Sequence, residues 1–126
     1  HVTFKDYIPE IYDVLAVLDL LVIASDVESF GRVAVEAMSV KTPVLAVRAG
    51  AVAEVITPGE NGFLVDSSDP ELLAEAILSI RDDPERVRKV VEKGHQVVRE
   101  KYANEDQIGK VEEIVRECLG TKTEHG

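Results

Sequence analysis

Cysteine is nearly absent from this sequence, and long apolar runs are missing altogether. The single cysteine, Cys118, excludes an intrachain disulfide framework and a zinc cage built from cysteines. No apolar segment is long enough to span a bilayer, and no signal-peptide pattern occurs. These absences favour a cytoplasmic protein without a transmembrane segment. Its 126 residues suffice for one domain with one core.

Basic residues are scarce relative to acidic ones, with 14 Lys and Arg against 24 Asp and Glu, giving a formal charge of −10. Nucleic-acid binding requires many cations to neutralise phosphates, so a nucleic-acid partner is not expected. The acidic balance also does not suggest binding to an anionic membrane, and a solvated surface explains it. The tyrosines do not alternate with basic residues as a base-stacking platform would.

Several common catalytic signatures are also missing. The sequence contains no nucleophile elbow, no P-loop and no G-x-G-x-x-G. The histidines His1, His95 and His125 are scattered, without the spacing of metal ligands, so surface or packing roles are expected for them. Carboxylates within 26–28 and 66–69 more often cap helices than bind a metal. We therefore predict no metal site.

Apolar segments alternate with amphipathic segments along the chain, which predicts an α/β fold. We expect a Rossmann-like parallel sheet of about four strands, with helices on both faces and a helical C-terminal end. The domain would cover residues 1–119, and 120–126 would be a flexible tail. The expected strands are Val2–Phe4, Leu20–Ser25, Pro43–Val47 and Phe63–Val65, and the expected helices are Asp6–Asp19, Gly31–Val40, Ala51–Ile56, 70–80, 84–102 and 104–119.

Two of these elements carry sharper expectations. The all-apolar run Leu20–Ser25 predicts a strand that is buried on both faces. Asp69 followed by Pro70 is typical of the N-cap and first position of a helix. The helix that follows is expected to turn its apolar residues inward, namely Leu72, Leu73, Ala76, Ile77 and Ile80.

The segment from Ser25 to Glu36 joins a predicted strand to a predicted helix. In parallel α/β sheets, ligands bind where a strand ends and the next helix begins. Free backbone N–H groups and the helix dipole favour an anion at such a point. Glu28 and Glu36 lie on either side of the helix start. The sequence therefore predicts a candidate phosphate site flanked by two carboxylates.

Glu28 and Glu36 are separated by seven residues and surround Phe30-Gly31, and further motifs follow them in order. This pattern resembles the C-terminal, donor-binding domain of retaining GT-B glycosyltransferases of the group 1 type. The resemblance covers roughly positions 1 to 80, the later part of that domain. The matching motifs are Ser25-x-x-Glu28-Ser29-Phe30-Gly31, Glu36-Ala37-Met38, Thr42-Pro43-Val44, Gly50-x-x-x-Glu54 and Gly59-x-Asn61-Gly62-x-Leu64-Val65.

The resemblance implies a binding site for a nucleotide sugar, with a UDP- or GDP-sugar as donor and neither a metal nor a cofactor required. It implies that Glu36 binds the ribose hydroxyls and that Glu28 occupies the catalytic position beside the sugar. The remaining implied donor-binding residues are Ser29, Phe30, Gly31, Arg32 and Val33 near the sugar and diphosphate, and Gly50 and Glu54 on the opposite wall.

The chain also departs from the family pattern. Lys41 stands where the family usually has glycine, so the helix must end with strain or in another way. Ala51 replaces the second glycine of a pair, which adds a methyl group near the donor. Ser29 replaces a frequent glycine, a minor change. The family's basic pair, which holds the diphosphate, has no counterpart here.

Purely structural interpretations of the same residues remain open. Arg32, Glu36 and Ser39 have helical spacing and could form a solvated stripe with one ion pair. Glu28 could cap the helix, which is compatible with a ligand role. We therefore carry two functions. One is the donor-binding part of a hexosyltransferase-type enzyme, inactive without its N-terminal domain or a partner subunit. The other is a non-catalytic binding or assembly module.

The strand Leu20–Ser25 is expected to have a free edge. By analogy with doubly wound sheets, it and Val2–Phe4 would not be neighbours, because the strands between them are not in this sequence. An unpaired edge promotes association. We expect either self-association across this edge, giving a homo-oligomer, or direct pairing with Val2–Phe4.

Overall fold

A computed structural model of the chain describes residues 2–5, 9–25 and 31–102. The helix expected at 104–119 and the tail at 120–126 lie outside the described residues. The elements in chain order are α1 Ile11–Val17, β1 Leu21–Ile23, α2 Arg32–Ser39, β2 Val44–Val47, α3 Val52–Val55, β3 Phe63–Val65, α4 Pro70–Arg81 and α5 Pro84–Tyr102.

The three strands form one parallel sheet in the order β1-β2-β3. Val22 of β1 aligns with Leu45 of β2, and Leu45 aligns with Phe63 of β3. Helices connect the strands, as parallel pairing requires. The expected class, a Rossmann-like α/β fold with a parallel sheet, is confirmed. Because all strands run the same way, the loops that follow them lie at the same end of the sheet, where the strands finish.

Helices cover both faces of the sheet. On one face, Val44 and Ala46 of β2 pack in a cluster with residues of α1, α2, α3 and α5. On the other face, Leu45 packs with Phe63, with Ile80 of α4 and with residues of α5. All four residues of β2 are buried. The central strand is therefore apolar along its whole length because each side chain meets a helix.

The predicted strand Val2–Phe4 is wrong. Residues 2–5 form no strand, and Val2 and Phe4 are 76% and 90% exposed. Two alternating apolar residues are a short signal, and no described strand lies beside them to pair with. The described part of the chain therefore has three strands rather than about four. Direct pairing of this segment with the edge of β1 is likewise ruled out, and self-association stays a prediction.

The expected burial of β1 on both faces is only half right. Ile23 is buried, but Val22, on the opposite face, is 36% exposed. The reason is its position in the sheet. Within the described residues β1 pairs only with β2 and lies at the edge, while α4 packs over the other two strands.

The start of α4 confirms the predicted cap, because Oδ1 of Asp69 accepts a hydrogen bond of 2.8 Å from the backbone N–H of Glu71. The set of α4 residues predicted to face inward was too large. Leu72 and Ile77 are 42% and 37% exposed, since α4 contacts the sheet along a narrower stripe. That stripe consists of Leu73, Ala76 and Ile80.

The end of α2 is strained where the sequence departs from the family. Lys41 adopts φ = 61°, which makes it the one non-glycine residue with positive φ among those described. Its N–H donates to the carbonyl of Met38. The next residue, Thr42, is buried and donates its hydroxyl hydrogen to the carbonyl of Leu15. This bond ties α1 to the chain entering β2.

Candidate functional site

The loops that follow β1 and β2 meet at Gly31, the N-cap of α2. Gly31 has φ = 59°, a left-handed conformation that favours glycine. A Cβ at this position would lie 3.3 Å from the carbonyl oxygen of Ala51 and 3.2 Å from Cγ2 of Val55. Glycine therefore serves both the turn and the close approach. The structure brings Gly31 close to Ala51 and Val55, in the segment that also carries Gly50 and Glu54.

The first turn of α2 presents backbone N–H groups that lack intrahelical partners. The carbonyl of Gly31 accepts from the N–H of Val35, so the N–H groups of Arg32 and Val33 precede the first intrahelical bonds. No side chain of the described residues caps this end, and the first turn contains no acidic residue. Backbone donors and the positive end of the helix dipole thus lie together at this helix start.

Glu36 lies one turn further along α2 and is mostly buried. Its side chain is only 14% exposed, whereas that of Arg32, its partner four residues earlier, is 72% exposed. Nε of Arg32 is 3.4 Å from Oε1 of Glu36, a long contact. The solvated-stripe interpretation therefore fits Arg32 but does not fit Glu36.

The carboxyl of Glu36 has a perturbed pKa. Burial raises its pKa above the ordinary value, and the positive charge of Arg32 opposes this shift. The hydroxyl of Tyr12, on α1, donates a hydrogen bond to Glu36 and also opposes it. A partly buried carboxyl group with a raised pKa, close to the start of a helix, is a candidate binding-site residue.

The loop after β2 forms the second wall. Gly50 has φ = 55° and its carbonyl accepts from the N–H of Ala53. Glu54, in the short helix α3, is exposed. The side chain of Arg48 forms an ion pair with Asp66. Its Nε is 3.1 Å from Oδ1 of Asp66, so it links the loops after β2 and β3. Arg48 therefore does not take the place of the basic pair that holds the diphosphate in the family.

Part of the family pattern has a structural explanation. Oδ1 of Asn61 accepts from the N–H of Thr57 at 2.7 Å, and Nδ2 donates to the carbonyl of Val55 at 3.0 Å. Gly59, with φ = 78°, donates its N–H to the carbonyl of Gly62. Asn61 thus fixes the end of α3, whose Val55 contacts the Gly31 position.

Glu28, Ser29 and Phe30 lie outside the described residues, so their roles stay predictions. Tyr12 was missed by the sequence analysis. Its place beside Ile11 on an amphipathic helix was visible, but the fact that this side of α1 faces Glu36 follows only from tertiary packing.

Among the described residues, no group of three or more His, Cys, Asp or Glu side chains could hold a metal ion. No helix formed by these residues is both long enough and apolar enough to cross a membrane.

The fold is a parallel α/β fold in which helix α2 begins at the end of the sheet where the strands finish. The family model described as "Glycosyl transferases group 1" matches residues 1–97. The chain therefore belongs to the group 1 glycosyl transferases, and the resemblance inferred from its motifs is confirmed.

Curated relatives agree with this family. N-acetyl-alpha-D-glucosaminyl L-malate synthase of Bacillus anthracis is 32% identical over 107 residues, covering 85% of this chain and 28% of that protein. D-inositol 3-phosphate glycosyltransferase of Corynebacterium efficiens is 41% identical over 80 residues, covering 63% of this chain and 19% of the relative. The chain thus spans less than a third of the length of these relatives.

Solved structures agree as well. The Anabaena protein HepE, in complex with UDP, has a TM-score of 0.69 and 28% identity, covering 86% of this chain and 29% of that one. The C-terminal domain of LpcC, a group 1 family glycosyl transferase from Francisella tularensis, has a TM-score of 0.68 and 36% identity. The match covers 80% of this chain and 52% of that domain structure.

Proposed function

We propose that this chain provides part of a binding site for a nucleotide-diphosphate sugar. The observation that carries the proposal is the pairing of a helix start at Gly31, which no described side chain caps, with the mostly buried side chain of Glu36. Such a pair can bind an anionic group and a hydroxyl-bearing group at the same time. HepE, a structural neighbour, has been solved in complex with UDP and with UDP-glucose, which supports this ligand class.

The chemistry of the donor suggests a division of roles. The diphosphate would accept hydrogen bonds from the first N–H groups of α2, with the exposed guanidinium of Arg32 beside them. The carboxylate of Glu36 would accept hydrogen bonds from the two vicinal ribose hydroxyls. Glu28, Ser29 and Phe30 would contact the sugar and diphosphate, and Gly50 and Glu54 would form the opposite wall.

The reaction proposed for the whole enzyme is transfer of the sugar from this donor to an acceptor with retention of configuration. As the bond to the sugar breaks, negative charge builds on the diphosphate, and backbone N–H groups at Gly31 and after it would stabilise that charge. Further cations and the acceptor site would come from outside this chain. We therefore expect the chain alone to be inactive, and its cytoplasmic location also remains a prediction.

A second function has specific observations in its favour. Lys41 and Ala51 replace glycines of the family pattern, and Arg48 is engaged by Asp66. A module that keeps the fold for binding or assembly, without catalysis, would tolerate such changes.

Isothermal titration of the chain with UDP and with GDP separates the two functions. The variants are Glu36→Ala and Glu36→Gln, with Glu75→Ala as the matched control because Glu75 is an exposed carboxylate on α4. The first function predicts binding that both Glu36 variants weaken by about tenfold or more, as expected for lost hydrogen bonds to a charged group. No binding of either nucleotide would contradict it and favour the second.

A further inference from the structure

A wide groove runs along one side of α5. It has a volume of about 730 Å³ and extends from Arg88 to Glu100, and all the described residues that line it belong to this helix. At about 1.5 Å per residue, that stretch of α5 is roughly 18 Å long. The described structure therefore supplies one wall of a groove that is long enough for several turns of a second helix.

The groove is basic although the chain as a whole is acidic. Helix α5 contains six Lys and Arg against three Glu, whereas the whole chain has a formal charge of −10. Each of the three acids already contacts another described side chain: Glu85 contacts Arg88, Glu92 contacts Lys41 and Glu100 contacts Gln96. The groove therefore presents positive charge that the acids of α5 do not neutralise.

Three cations of the groove carry this excess charge. Lys89, Lys93 and Arg99 are exposed, and no ion pair joins any of them to another described side chain. They follow one another along α5 at intervals of four and six residues. Charge complementarity therefore favours an occupant with acidic side chains at similar intervals.

The chain itself continues beyond α5 into an acidic segment. Residues 103–119 contain five Asp and Glu against two Lys and Arg, and they lie outside the described residues. Glu113 and Glu117 are four residues apart, as the two lysines of the groove are, and Asp106 precedes Glu113 by seven. These acids repeat at nearly the intervals of the three cations, in the order expected for a segment that runs back along α5.

We propose that the segment 104–119 turns back after α5 and occupies this groove. The pairs assigned are Asp106 with Arg99, Glu113 with Lys93 and Glu117 with Lys89. The helix predicted at 104–119 would be about 23 Å long, which is sufficient for the length of the groove. Each exposed ion pair is weak by itself, but the direct connection to α5 gives the segment a high effective concentration, so three pairs can act together.

The single cysteine of the chain, Cys118, provides a probe within the segment. The experiment attaches a nitroxide to Cys118 of the full chain and records the paramagnetic broadening of backbone amide NMR signals, with the reduced nitroxide as reference. Because the segment turns back, the signals of Arg88 and Lys89 should broaden strongly and that of Arg99 less. Raising NaCl from about 0.05 M to about 0.5 M should reduce the broadening, since salt screens exposed ion pairs.

Charge reversal tests the assigned pairs. Lys89→Glu combined with Lys93→Glu should abolish the broadening at Arg88. Adding Glu113→Lys and Glu117→Lys should restore it, because the pairs form again with opposite signs. A loss caused by misfolding would not be restored in this way, and failure of the restoration would refute the assigned pairs.

A matched control combines Lys5→Glu with Arg81→Glu. Both residues are exposed and lie outside the groove, so this variant makes the same change in net charge and should leave the broadening as it is. If it removes the broadening as fully as the groove variant does, the effect belongs to net charge and the proposal is wrong.

The position of the broadened signals distinguishes this occupant from others. Broadening confined to the last turn of α5 would show that the segment does not turn back. Broadening around Val17 and Val22, which are exposed apolar residues, would show that the apolar side of the segment selects its place. Broadening of an isotope-labelled Cys118→Ser chain mixed with the nitroxide-labelled chain would show that the groove binds a second copy. Each of these three results would overturn the proposal.

Discussion

Replacing Lys41 by glycine should relieve backbone strain at the end of α2. Lys41 has φ = 61°, and a non-glycine residue in that region costs about 1–2 kcal/mol. Glycine lowers this cost but adds about 0.4–1 kcal/mol of unfolded-state entropy to be lost. The side chain also forms an ion pair with Glu92 at 3.2 Å, with 51% and 61% of the two side chains exposed. Such an exposed pair contributes about 0.2–1 kcal/mol.

These terms nearly cancel for Lys41→Gly alone, so the informative comparison is with Lys41→Ala. Alanine loses the same ion pair but keeps a Cβ in the left-handed conformation. We expect Lys41→Gly to exceed Lys41→Ala in free energy of unfolding by about 1 kcal/mol, consistent with the usual glycine-to-alanine penalty at positive φ. In urea titrations this corresponds to a midpoint difference of about 0.5 M, for a denaturant slope of about 2 kcal/mol per molar.

Glu92→Ala provides the control for the ion pair, because it removes the pair without touching the strained backbone. It should match the loss seen when Lys41→Ala is compared with the unmodified chain. If Lys41→Ala is as stable as Lys41→Gly, or more stable, then positive φ at this residue carries no cost and the reasoning is wrong.

Three further predictions concern stability. Gly94→Ala should destabilise by about 1–3 kcal/mol despite better helix propensity, because its Cβ would lie 2.8 Å from the Asn61 carbonyl oxygen; thermal unfolding that shows a gain would contradict this. Asn61→Ala should cost about 1–3 kcal/mol in urea titrations, since Thr57 and Val55 each lose a partner, and no change would contradict it. Burial raises the pKa of Glu36 in the folded state, so the folded chain binds this proton more tightly than the unfolded chain does. The free energy of unfolding of the unmodified chain, minus that of Glu36→Gln, should therefore fall as the pH rises from the ordinary carboxyl pKa through the folded-state pKa. If the unmodified chain instead gains stability over Glu36→Gln as the pH rises, the predicted direction is wrong.

The sequence alone determined the features that depend on neighbouring residues. Strands and helices alternate as the apolar pattern predicted, and Asp69 caps α4 because its side chain needs only the N–H two residues later. The ordered motifs were sufficient to indicate the family. Gly31 was predicted to belong to the site because a strand end, a glycine and a helix start follow one another in the chain.

Tertiary structure decided what depends on residues far apart in the chain. Val2–Phe4 formed no strand because a strand needs a partner, which its own residues cannot supply. Val22 is exposed because β1 lies at an edge in the described sheet and α4 covers the other strands. Tyr12 lies close to Glu36 because α1 packs on α2. Local hydrogen bonds and side-chain period are encoded within a few residues, whereas the surface that covers a given face is set by the whole packing arrangement.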